Sequence, residues 1–111
     1  MRRLIEALRL LAAPAAVQRS VLPTHVAVAD EVAMIFSDEL VAATESTAAQ
    51  PANVRRMLEA LDELLNTVSQ DAGAWDIDLA VWTDVRLQAR AILDALGAAV
   101  VPPTLDWLTY V

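Results

Sequence analysis

Val54, Met57, Leu58, Leu61, Leu64, Leu65 and Val68 follow one another at intervals of 3, 1, 3, 3, 1 and 3 residues. At about 3.6 residues per turn, that spacing lines one side of a helix with apolar side chains and leaves the other to water. A strand would need alternation, and no convincing run of it occurs in the chain. The pattern predicts a core-facing helix over 51–69, with Pro51 in its first turn, and it sets the class as all-α.

The same period recurs on both sides. Leu4, Ile5, Leu8 and Leu11 predict a helix over 2–13. Pro14 opens a short one over 14–22, which ends before Pro23 because the residue ahead of a proline is pushed out of the helical region. Val28, Val32, Phe36 and Leu40, with Ala29, Ala33 and Ala43 beside them, predict a helix over 28–45. Its valines lower intrinsic propensity, so packing must hold it. The polar stretch 44–51 reads as a loop. Trp82, Val85, Ala89, Ile92, Leu93 and Leu96 face inward on a last helix that starts at 76 or 78 and ends at 96. Arg90 and Asp94 can pair along its outside, and Gly97 supplies the cap. The expected fold is a small antiparallel-type bundle of four main helices plus one short one.

One domain, 1–111, accounts for the whole chain, and 111 residues can bury a core without staples. Residues 101–111 form an extended tail that is unusually apolar for a terminus. Its Trp107, Leu108 and Tyr110 would forfeit roughly 1.5–3 kcal/mol each if left wet. They are expected to dock on the bundle's own flank or to join two subunits.

Composition narrows the chemistry. The absence of cysteine removes disulfides and thiolate zinc sites, and one histidine, His25, cannot make a metal centre within one chain. Two glycines, Gly73 and Gly97, leave no phosphate-cradling loop, and there is no Gly-x-Ser-x-Gly elbow. The expectation is a protein that is not an enzyme and needs no cofactor or metal. A net charge of −7 argues against nucleic acid and anionic membranes and favours a basic protein partner. The N-terminal MRRLIEALRLLAAPAA mimics an export signal, but Glu6 and Arg9 interrupt its apolar core. No uncharged run approaches the roughly 18 residues of a membrane span. A cytoplasmic location is expected.

Asp30, Glu31, Asp38 and Glu39 lie within nine positions and suggest a carboxylate site. Helical geometry separates them. At about 100° per residue, Glu39 falls on the edge of the apolar face, while Asp30, Glu31 and Asp38 fall outside with Glu45. Glu31 and Asp38 stand roughly 10 Å apart along the axis, too far to share a proton. Met34 and Val41 sit among these outer carboxylates. The outer carboxylates make either a solvated face or a surface for a partner, since an apolar pair inside an acidic rim is the pattern of a small interface. The candidate partner-binding residues are Asp30, Glu31, Met34, Asp38, Val41 and Glu45. Glu39, at the edge of the apolar face, is expected either to pair with an arginine, with Arg19, Arg86 and Arg90 as candidates, or to snorkel out to water. His25 belongs to a helix-entry turn. Trp75, Trp82 and Trp107 read as core and staple residues. Arg2, Arg3 and Arg9 are too few for a phosphate footprint.

The segment AAVQRSVLPTHVAVADEVAMIFSDEL, 15–40, resembles an uncharacterised small all-helical bacterial family. Shared features are a Val-Gln, a Leu-Pro and a Val-Ala-Asp-Glu-hydrophobic-Ala-x-x-Phe-x-Asp run. A tryptophan and a Val-Arg-x-x-Ala-Arg element, here Trp82 and 85–90, recur there too. The resemblance covers about half the chain, and the tail departs from it. It implies a non-enzymatic protein of the immunity or antitoxin type. The resulting expectation is an acidic protein-binding module that masks a basic partner. The alternative is a structural homodimer assembled through the tail, which the 57% hydrophobic fraction favours.

Overall fold

The computed structural model describes residues 1–23, 27–70 and 76–107. Among these it is all-helical: α1 (Arg2–Ala12), α2 (Ala15–Val21), α3 (Val28–Ala42), α4 (Thr44–Ala48), α5 (Ala52–Ser69) and α6 (Ala80–Ala95).

Prolines punctuate this order. Ala13 and Leu22, each ahead of a proline, take extended backbone and end α1 and α2. Pro14 and Pro51 lie one position earlier than expected, as N-caps. Their carbonyls accept the first helical bonds, from Gln18 at 3.0 Å and Arg55 at 3.1 Å. Gly97, at φ 70°, closes α6: its N–H reaches the Asp94 carbonyl, and that of Ala98 reaches Leu93. That pair of bonds is a Schellman cap, and its left-handed residue favours glycine.

The segment expected as a loop over 44–51 contains α4, and the helix expected to run to 45 stops at Ala42. Ala43, at φ −96° and ψ 18°, breaks the run. Thr44 Oγ donates to the Val41 carbonyl at 2.6 Å, and Thr47 Oγ to that of Thr44 at 3.0 Å. Such back-bonding threonines bend a helix and allow it to restart. The chain therefore carries one short helix more than its periodicity announces.

Helix α1 packs on α6 and α3, and α5 packs on the same two, so the four long helices close a ring; α3 and α5 touch least. Trp82 and Phe36 are the largest fully buried side chains, joined by Leu4, Leu8, Leu61 and Ile92. Ile35 is also buried, although its position falls beside the expected apolar face. No helix among the described residues is long and apolar enough to cross a membrane.

Candidate protein-binding surface

Helix α3 presents its carboxylates unequally. Asp30 and Asp38 are exposed, whereas Glu31 and Glu39 are half-buried. Glu45 is exposed but belongs to α4, so the break at Ala43 removes it from the α3 face where continuous helix geometry put it. Among the described residues, no three histidine or acidic side chains gather as a metal-binding group. Met34 is 50% exposed and Val41 73%. They lie seven residues apart, about 10.5 Å along the axis.

Both border hollows in the seam between α3 and α5. A hollow of about 200 Å³ lies between Asp30, Met34 and Asp38 on α3 and Asp62, Leu65 and Ser69 on α5. A second, of about 360 Å³, lies between Leu40, Val41 and Thr47 on one side and Arg55, Leu58 and Glu59 on the other. Early α3 thus faces late α5, and late α3 faces early α5, so the two run antiparallel. Small residues explain the open seam: Ala33 and Ser37 line the first hollow, and Thr44 and Ala48 the second. Sequence reasoning found Met34 and Val41 but missed the α5 wall. The signal was present in Leu58 and Leu65, which share the seven-residue interval.

None of the arginines expected to serve Glu39 does so. Arg19 pairs with Asp78 at 2.7 Å, and Arg90 Nε approaches the Ala12 carbonyl at 3.4 Å. Arg86 donates to Gln18 Oε1 at 3.1 Å and to the Ile77 carbonyl at 2.6 Å. Burial lowers the Arg86 pKa, with Asp78 opposing that effect. Glu39 instead borders a cleft with Arg2, Arg3 and Trp107. The expected Arg90–Asp94 pair does not form.

The described part of the C-terminal segment, through Trp107, lies on α1 of its own chain. Glu6, buried at 6% exposure, accepts the Thr104 backbone N–H at 2.6 Å through one carboxylate oxygen and a guanidinium N–H of Arg9 through the other. Arg9 Nε holds the Ala99 carbonyl at 3.0 Å. Trp107 is half-buried, its indole N–H on the Thr104 carbonyl and the Arg3 guanidinium 5.5 Å from its ring centre. Leu108 and Tyr110, the other two tail candidates, lie outside the described residues, as do His25, Gly73 and Trp75.

No protein-family model, curated protein or solved structure matches the chain.

Proposed function

We propose that this chain is a non-catalytic, acidic protein-binding module of the immunity or inhibitor type, acting in a bacterial cytoplasm and masking a basic protein partner with the outer side of α3. The observation that carries this reading is the exposure of Met34 and Val41 on a helix whose neighbouring Asp30 and Asp38 are also exposed. Apolar side chains of that size are held in water at a cost, and a partner that covers them recovers it. The carboxylates around them raise the encounter rate with a positively charged surface. The homodimer alternative has less support, because Trp107 is engaged by Arg3 of its own chain.

The test is affinity capture from the native cell with wild-type, Asp38→Arg and Val41→Asp chains as bait. A basic protein should be retained by the wild type, be lost at high salt, and associate about tenfold more slowly with Asp38→Arg. Capture of the same protein with unchanged association kinetics by both variants would refute the reading.

A further inference from the structure

We infer that the seam between α3 and α5 receives an amphipathic helix of that basic partner, an assignment that rests on the binding-module reading above. Two residue pairs in the seam specify a helix. The rim residues Met34 and Val41 are seven apart, and so are the floor residues Leu58 and Leu65, which border the two hollows in antiparallel order. Each interval spans about 10.5 Å, the length of two helical turns. A third helix laid along the seam repeats its apolar stripe at that distance, so large side chains at i and i+7 would enter the two hollows in register. An extended strand covers about 10 Å in three residues, at roughly 3.3 Å each, but side chains three apart point to opposite faces, so only one of them would enter a hollow.

Charge selects the occupant. Asp30, Asp38 and Asp62 border the smaller hollow, and Glu59 borders the larger, against one cation, Arg55. Two copies of this face brought together would oppose like charges, which argues against a second copy of the chain. The described C-terminal residues are committed elsewhere, Ala99 and Thr104 being tied to α1 by Arg9 and Glu6. A foreign helix with a leucine-like stripe flanked by lysine or arginine satisfies both the shape and the sign.

The experiment is selection of an unbiased library of 18-residue peptides against the full chain, followed by affinity, circular dichroism and sedimentation measurements. Ser37→Trp fills the smaller hollow, and Ala91→Trp on the exposed side of α6 is the control for folding and for added bulk. Enriched peptides should be basic, carry apolar residues at i and i+7, and become helical on binding. They should lose at least tenfold in affinity to Ser37→Trp but not to Ala91→Trp. Basic peptides that weaken with Asp38→Arg, yet bind without helicity or ignore Ser37→Trp, would overturn the helix and leave the acidic module standing. Enrichment of no basic peptide would remove both. A dimer of the chain that Ser37→Trp dissociates would place a second copy in the seam and overturn the proposal.

Discussion

The carboxylate of Glu6 accepts the backbone N–H of Thr104 at 2.6 Å and so joins positions 98 residues apart in the chain. Its other oxygen holds Arg9, whose Nε binds the Ala99 carbonyl, so two side chains of α1 grip the tail at two points. Burying a carboxylate is costly unless its lone pairs are used, and here both oxygens are. Glu6→Ala should lower stability by about 1–3 kcal/mol, the cost of leaving such partners unsatisfied. Glu6→Gln, which keeps an acceptor for Thr104, should lose less. Urea denaturation measures the loss, and faster amide exchange at Thr104 in Glu6→Ala locates it in the tail. Unchanged exchange there would mean that the latch is not what holds the segment.

Gln18 makes the corresponding junction at the far end of α1. Fully buried, it donates to the carbonyls of Leu10 and Leu11 at 3.0 and 3.3 Å and accepts from Arg86. Those carbonyls are among the last of α1, which lack i+4 partners within the helix, and that of Leu10 is shared with the Ala13 N–H at 3.3 Å. Gln18→Met keeps the volume and removes the hydrogen bonds, so it isolates their contribution. A loss of about 1–3 kcal/mol is expected, with Gln18→Ala costing more because it also opens a cavity. Thermal or chemical unfolding of the two variants checks both the size and the order.

Glu6 and Gln18 also mark where the sequence stops being legible. The periodic positions Leu58, Leu61, Leu65, Trp82, Val85 and Ile92 are buried as their spacing predicts, because local order alone sets which face of a helix is apolar. In the sequence Glu6 reads only as an interruption of the apolar N-terminal run, since nothing local reveals that a segment near residue 104 covers it. The end of α3 was missed for a different reason. Ala43 carries no helix-breaking side chain, and the bend comes from threonine back-bonding that competes only weakly with the helix. On the candidate surface, the angular positions of Met34, Asp38 and Val41 follow from α3 alone, whereas the hollows depend on α5, a separate helix further along the chain.

Gly97 ends α6 with φ at 70°, and a Cβ placed there would meet nothing within 4 Å. Crowding therefore plays no part in the effect of a substitution, which is the backbone cost alone. For an L-residue in the left-handed region this is about 1–2 kcal/mol. Gly97→Ala should destabilise by that amount, and Gly97→Asn by less, because asparagine tolerates the conformation better. Equal stability of all three chains, measured by urea titration, would contradict the assigned cap.

Asp78 pairs with Arg19 at 2.7 Å, and its own N–H binds Asp76 Oδ1 at 2.9 Å. The Arg19 hydrogen bond, aided by the guanidinium charge, lowers the Asp78 pKa from its ordinary value. A carboxylate with a lowered pKa in the folded state adds stability above the ordinary carboxylate range, near pH ~4. That contribution disappears as the pH falls through the lower folded-state value. Both side chains are well exposed, at 49% and 60%, so solvent and salt screen the pair and its effect is small. Asp78→Asn should therefore be slightly less stable than wild type at neutral pH and indistinguishable from it in strong acid. The neutral-pH difference should also shrink in about 1 M salt, where the screening length is about 3 Å. Paired denaturation curves across pH and salt read this directly. A difference that persists in acid would mean that the charge of Asp78 is not what the substitution removes from the fold.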